Sequence, residues 1–212
     1  MIFQDIQGMN DFAIKKDLGM QAQIDNSLGT KLFILRVIRN PRQLGAVAPS
    51  SRYLGALLAK HALVDDVSPI VELGGGSGSI TRSLIKAGVD PERIYVIELD
   101  KALAAYLKTA LPLVNVIHGD ATELEAILPP EVIGNVHRIV SGLPMINFPE
   151  PIRRKILESC FSVMVPRGAY LQYTYSPRSS INAEAYNLTK KRMGMTFLNL
   201  PPATVWQYTR ES

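Results

Sequence analysis

The stretch that decides the fold is Ile70-Val71-Glu72-Leu73-Gly74-Gly75-Gly76-Ser77-Gly78-Ser79-Ile80-Thr81. Its first residues read as an apolar strand, and the glycines mark the turn after it. Residues 79–88, SITRSLIKAG, then read as a helix ended by glycine. Glycines between a strand and a helix permit a tight turn and let backbone approach a ligand closely. The spacing Gly74, Gly76, Gly78 departs from the G-x-G-x-x-G of dinucleotide sites. The cluster alone leaves a structural turn, a dinucleotide site and another nucleoside site open.

Outward from this turn the pattern repeats. IYVIELD (94–100), VNVIHGD (114–120), HRIVSGLP (137–144) and GAYLQYTYS (168–176) read as further strands. KALAAYLKTAL (101–111) and PEPIRRKILESCFSVM (149–164) read as helices between them. INAEAYNLTKKR (181–192) is expected to be a helix, and MTFLNL (195–200) and ATVWQYTR (203–210) to form a closing antiparallel edge. Short apolar strands alternating with helices predict an α/β fold, a doubly wound and mostly parallel sheet covered on both faces.

With 212 residues, 47% hydrophobic and 20% charged, the chain suits one globular domain and not a disordered one. We expect residues 1–65 to be an N-terminal basic, amphipathic helical extension of the same domain that residues 66–212 form. Cys160 is the only cysteine, which excludes an intrachain disulfide and fits a reducing compartment. No apolar run approaches the roughly 18 residues of a membrane span. The first residues lack the order of a secretory signal. A cytoplasmic chain is expected, with attachment to a membrane surface open.

Net charge is +4. Residues 31–60 hold Lys31, Arg36, Arg39, Arg42, Arg52 and Lys60 and no acid. Such a segment attracts anions: nucleic acid, an anionic membrane or a phosphate-bearing small molecule. On a helix over 31–39, Phe33, Ile34, Val37 and Ile38 share one face, opposite Lys31, Arg36 and Arg39, and Asn40-Pro41 should end it. That helix can lie on an anionic bilayer, or pack its apolar face on the domain. An arginine such as Arg42 or Arg52 can hold a phosphate by paired hydrogen bonds.

Two acids extend the first signal. Glu98 ends the second strand, where it can accept from both ribose hydroxyls of a nucleoside or cap the next helix. Asp100 permits both roles to be filled at once. Asp120, in Gly119-Asp120-Ala121, can accept from an adenine amino group or cap a helix.

VELGGGSGSIT, IYVIELD, HGDA and IVSGLP, in this order, resemble the class I S-adenosylmethionine-dependent methyltransferases over roughly residues 66–210. The resemblance implies a seven-stranded Rossmann-like sheet with an antiparallel last strand, and S-adenosylmethionine as cofactor. It puts Glu72 near the methionine end, Gly74 and Gly76 beside the cofactor, Glu98 on the ribose and Asp120 on the adenine. Gly78, Leu99, Ala121 and Ser141 complete the expected cofactor-binding set. No metal site is expected.

VIELDKAL and HGDA also resemble the ribosomal RNA adenine dimethylases. Those carry Asn-Leu-Pro-Tyr after the fourth strand, where the ring stacks on a flipped adenine. Here the element is Ser141-Gly142-Leu143-Pro144-Met145, without ring or asparagine. The closer resemblance is to the bacterial phospholipid N-methyltransferases, through KLFILRVIRNPRQLGAVAPSSRYLGALLAK, SGLPMINFP and QYTYSP. It implies methylation of phosphatidylethanolamine and its partly methylated forms, toward phosphatidylcholine, by a peripheral protein on the inner membrane face. It implies neither a nucleic-acid partner nor an obligate protein partner.

Methyl transfer to an amine requires alignment and a deprotonated amine. His61, His118 and His137 are poorly placed to act as the base. Tyr173 and Tyr175 share a strand face and can hydrogen-bond the amine or its phosphate, or simply pack. Carbonyls from Ser141 to Leu143 can accept from the amine. Trp206 reads as sheet packing rather than as a contact for a quaternary ammonium. Competing readings are an RNA adenine methyltransferase, a small-molecule methyltransferase, a nucleotide-dependent oxidoreductase and a membrane-binding module.

Overall fold

The computed structural model describes residues 52–65, 67–198 and 201–210. The helix expected over residues 31–39, with Lys31, Arg36, Arg39 and Arg42, lies outside the described residues. The elements are α1 (Arg52–Ala62), β1 (Ile70–Leu73), α2 (Ser79–Lys86), β2 (Ile94–Glu98), α3 (Lys101–Ala110), β3 (Asn115–His118), α4 (Leu124–Ile127), β4 (Val136–Ser141), α5 (Glu150–Val163), β5 (Met164–Thr174), β6 (Leu188–Thr196) and β7 (Ala203–Arg210).

One seven-stranded sheet runs β3-β2-β1-β4-β5-β7-β6. Strands β1 to β5 pair in parallel, and β7 is antiparallel to both β5 and β6. The doubly wound reading holds, and β6 and β7 form the expected antiparallel edge, with β7 between β5 and β6. One correction is needed: residues 188–192, expected as helix, open β6 instead, after a single turn of 3-10 helix at Glu184–Tyr186. Thr189 to Arg192 are all exposed, so this edge strand carries no alternation of apolar and polar residues for a reader to find. Its Lys190, Lys191 and Arg192 suit an edge that must not pair with another chain.

Apolar side chains alternate between the two sheet faces. Ile70, Val96, Val116, Val140, Leu171 and Val205 face α1, α2 and α3, where Leu54, Leu58, Leu84 and Leu107 are fully buried. The other face carries Ile139, Tyr170 and Tyr208 against Ile156, Leu157 and Cys160 of α5. Each such side chain contributes about 1.5–3 kcal/mol by leaving water.

α1 joins this core at a fixed height. The Arg138 guanidinium donates to the His61 carbonyl at 3.2 Å, which ties the end of α1 near the amino ends of the strands. Leu57 packs on Gly194, level with Tyr173 and Val205 in the strand register. An eleven-residue helix is about 16 Å long. Arg52 therefore stands at the carboxyl end of the sheet. Below, Asp65 accepts from Ser68, Val67 and Arg93, and the Ser68 hydroxyl and N–H above all hold its carboxyl down at about 2.

Gly55 carries the α1–α2 crossing, because a methyl group there would collide with the Ser83 Cβ and Oγ. Gly55→Ala should destabilise the protein by about 1–3 kcal/mol, as overpacking does. Urea unfolding of the full chain measures this, and an unchanged midpoint would contradict the packing described.

Candidate active site

The carboxyl ends of β1, β2, β3 and β4 converge beside the point where the sheet order reverses. Parallel pairing continues one residue past each strand: Gly74 N–H donates to Ile97 O, Gly119 N–H to Glu98 O and Gly142 N–H to Leu73 O, at 2.8–3.1 Å. The turns that follow are thereby held in register. After β1, Gly74, Gly76 and Gly78 all have positive φ, between 53° and 75°. Only glycine takes such a run cheaply. Gly75 is needed for another reason, since its Cβ would strike Val96 and Leu107. Gly76 faces open space, so its backbone is free to lie along a ligand.

Glu98 is 1% exposed. Its two carboxylate oxygens accept from Gly76 N–H and Asp100 N–H, each at 2.9 Å. The side chain thus ties the glycine turn to the turn after β2. Asp100 caps α3, accepting from Ala102 and Leu103 N–H. The two acids fill separate roles, as the sequence allowed. Leu99 lies between them, its carbonyl 3.1 Å from a His118 ring nitrogen.

Asp120 is buried at the third turn, next to half-buried Ala121. One carboxylate oxygen accepts from Thr122 N–H at 2.9 Å, and the other is buried without a partner. A buried acceptor left open is costly unless a ligand supplies the donor.

Glu72 is the opposite case. It is 2% exposed, and Thr81 Oγ donates to it at 2.7 Å. Burial pushes its pKa up to about 8, Thr81 pulls it down, and the Glu98 charge pushes it up further. The carboxyl is held protonated near neutral pH. Thr81, in the first turn of α2, was not singled out from sequence.

The turn after β4 is organised by Gln172, also missed in sequence. Gln172 is buried in β5, and its amide nitrogen donates to the carbonyls of Ser141, Leu143 and Tyr173 at 3.4, 3.0 and 2.8 Å. Tyr170 O–H donates to its other end at 2.7 Å. The Ser141 and Leu143 carbonyls, expected to face the amine, therefore already accept from Gln172. Ser141 Oγ accepts from Leu143 N–H at 3.2 Å. A polar residue inside the apolar run GAYLQY was the available signal.

Tyr173 does reach this turn. A methyl group on Gly142 would lie 3.4 Å from the Tyr173 hydroxyl and 3.1 Å from the Gly74 carbonyl. Tyr175 packs edge-on against Tyr173, with ring centroids 5.8 Å apart. Arg52 is exposed, and its guanidinium folds onto Tyr53. His61 and His137 stand at the opposite end of the sheet, by Arg138 and Asp65.

A paired acceptor suits vicinal hydroxyls, and a separate open acceptor suits an exocyclic amine. A nucleoside presents both at once. With this sheet order, the protein is an enzyme of the class I S-adenosylmethionine-dependent methyltransferases, and S-adenosylmethionine is its cofactor. No family model matches the chain. It is 30% identical over 150 residues to an ornithine lipid N-methyltransferase of Singulisphaera acidiphila, covering 69% of this chain and 78% of that enzyme. It is 30% identical over 122 residues to ribosomal RNA small subunit methyltransferase A of Mycoplasmoides gallisepticum, covering 57% of this chain and 43% of that protein. A TehB-like S-adenosylmethionine-dependent methyltransferase from Corynebacterium glutamicum shares the fold, with TM-score 0.54 and 19% identity over 87% of this chain and 100% of that one. The chain belongs to the bacterial lipid N-methyltransferase family of the Singulisphaera enzyme.

Glu72 gives the site a pH signature. Between its ordinary value of 4.5 and about 8, the folded chain keeps a proton that the unfolded chain releases. Stability from this group is full below that window and falls as pH rises through it. Urea unfolding of the cofactor-free protein across the window should show this decline, and Glu72→Gln should flatten it. A variant with the same slope as the wild type would contradict the assignment.

Proposed function

We propose that this protein transfers methyl groups from S-adenosylmethionine to the amine of a lipid headgroup at a membrane surface, with phosphatidylethanolamine and its partly methylated forms as acceptors. The observation that carries this reading is the likeness to a lipid N-methyltransferase over most of both chains. The turn after β4 supports it against RNA. Met145, in the place of the dimethylases' stacking ring, is 1% exposed and packs inward. It offers no platform for a flipped base.

The surface around the site also supports a lipid partner. Ile146 follows Met145 and is 62% exposed; Phe197 and Leu198, in the β6–β7 turn, are 76% and 67% exposed. By the strand directions all three stand at the carboxyl end of the sheet, as does Arg52. Apolar tips among basic residues suit an anionic bilayer. Among the described residues no helix is long and apolar enough to cross a membrane. In this reading the basic N-terminal extension supplies the membrane-facing residues, while α1 packs on the sheet. Lys31, Arg36, Arg39, Arg42 and Arg52 meet lipid phosphate, on the inner face of the membrane.

Glu98 keeps its backbone donors and accepts the ribose hydroxyls with its remaining lone pairs, helped by the adjoining Leu99 backbone. Asp120 and Ala121 hold the adenine, and Glu72, Gly74, Gly76, Gly78 and Ser141 line the methionine end. When bound, the cofactor supplies an electrophilic methyl on a sulfonium. The protein's work is alignment. Gln172 fixes the Ser141–Leu143 turn, Tyr173 and Tyr175 orient the amine through their hydroxyls, and the turn carbonyls keep a second lone pair each for its N–H groups.

Labelled S-adenosylmethionine and vesicles containing phosphatidylethanolamine should yield methylated lipid, faster with added anionic lipid at low salt. Arg36 and Arg39 changed together to Glu should reduce vesicle binding, since each basic residue near the surface is worth about 1 kcal/mol, while cofactor affinity stays unchanged. Label entering RNA instead of lipid would overturn this reading.

A further inference from the structure

Besides Asp120 Oδ2, three buried side-chain polar atoms among the described residues have no partner: Arg153 Nε, Ser180 Oγ and Trp206 Nε1. Asp120 is an acceptor, whereas all three others can donate. They also share one side of the molecule, the sheet face covered by α5. Arg153, half-buried with its Nε covered, stands one turn before the buried stripe of Ile156, Leu157 and Cys160 on α5. It makes no ion pair among the described residues, unlike Arg154, which pairs with Glu150 at 2.6 Å.

Their heights agree. Cys160 lies close enough to Tyr170 to push up the tyrosine's pKa. Arg153 precedes Cys160 by seven residues, about 10 Å along the helix toward the carboxyl ends of the strands. In β5 the climb from Tyr170 to Gln172 and Thr174 is about 7 and 13 Å. Across the ladder Tyr208 pairs with Tyr170, Trp206 with Gln172 and Thr204 with Thr174. Arg153 thus stands between the levels of Trp206 and Thr204. The Arg210 guanidinium stacks on Phe161 at 5.0 Å, which places α5 beside β7. Ser180 belongs to the same wall. Its neighbour Ser179 bonds the Tyr208 hydroxyl at 2.6 Å, and Ile181 is 1% exposed. Arg154 reaches the end of this segment, donating to Ala185 O and stacking on Tyr186.

Gln172, directly across from Trp206, is the residue that clasps the Ser141–Leu143 turn. The three donors therefore stand on the α5 face of the sheet, the side from which Gln172 reaches the Ser141–Leu143 turn, while Tyr173 and Tyr175 flank that turn from the other face. We propose that Arg153, Trp206 and Ser180 form an oxyanion subsite that takes the phosphate or carboxylate lying next to the acceptor amine in a zwitterionic lipid headgroup. This rests on the lipid-methyltransferase reading and extends it. The amine alone is a poor handle, because it must approach the sulfonium without its proton. The neighbouring anion keeps its charge throughout, so a half-buried guanidinium and an indole N–H can hold it while the amine reacts. A guanidinium Nε–H and an indole N–H both donate without accepting, which selects an anion over a hydroxyl.

Trp206 is the only tryptophan, so its indole N–H gives a single resonance. With S-adenosylhomocysteine bound, the full chain is titrated with glycerophosphoethanolamine, with ornithine and with ethanolamine. An oxyanion-bearing probe should move the indole signal saturably, and ethanolamine should leave it in place. A response to glycerophosphoethanolamine alone assigns a phosphate, and to ornithine alone a carboxylate. Arg153→Gln should weaken the response at least tenfold while S-adenosylhomocysteine affinity stays within twofold. Trp206→Phe, which keeps a ring and removes the donor, should raise KM for vesicle lipid several-fold with little change in kcat. An indole signal unmoved by both oxyanions, or an Arg153→Gln protein that titrates like the wild type, overturns the subsite. Normal lipid methylation by both variants overturns the subsite and leaves the lipid reading standing. A wild-type protein that binds cofactor yet methylates no lipid overturns the reading on which it rests.

Discussion

The site depends on one buried carboxylate. Glu98 has almost no contact with water, and a charge so placed must be met by donors. Two backbone N–H groups do this, one from the glycine turn after β1 and one from the start of α3. The same two bonds fix the distance between the first and second turns of the sheet. The glycines are then constrained from both sides, by Glu98 at Gly76 and by the packing of Val96 and Leu107 against Gly75. Glu72 shows what happens without such donors. It is equally buried, meets one hydroxyl, and retains its proton instead. Two acids a strand apart are thus set to opposite tasks by their neighbours.

The sheet divides the work. Its parallel half, β3-β2-β1-β4, presents acceptors. Its mixed half, β4-β5-β7-β6, presents donors and rings: Gln172, Tyr173, Trp206 and, from α5, Arg153. The boundary is the Ser141–Leu143 turn, which Leu73 holds from one side and Gln172 from the other. Acceptor chemistry on one side suits a nucleoside. Donor chemistry on the other suits an anionic headgroup.

The parallel half was legible in the sequence because each strand end carries its own punctuation. Gly74 to Gly78, Glu98 with Asp100, and Gly119 with Asp120 announce turns and chemistry together. β6 was not legible. An edge strand with Lys190, Lys191 and Arg192 in succession lacks the alternation that burial imposes elsewhere, and tertiary pairing with β7 decides its form. Gln172, Thr81 and Arg153 were missed because their importance lies in what they face across the sheet. Gln172 breaks an apolar run visibly, but only the fold shows that it reaches the carbonyls of another strand. Trp206 was read as packing, and it is half-buried on the α5 face of β7. Its unmet N–H could be seen only with the neighbours in place.

The central claim is that Glu98, held by its two backbone donors, accepts a nucleoside's hydroxyls with its remaining lone pairs. Calorimetric titration of S-adenosylhomocysteine into the wild type and Glu98→Ala tests it most directly. Loss of hydrogen bonds to a charged group should weaken binding by about 1–3 kcal/mol. A folded Glu98→Ala protein that binds the nucleoside as tightly as the wild type would contradict the account.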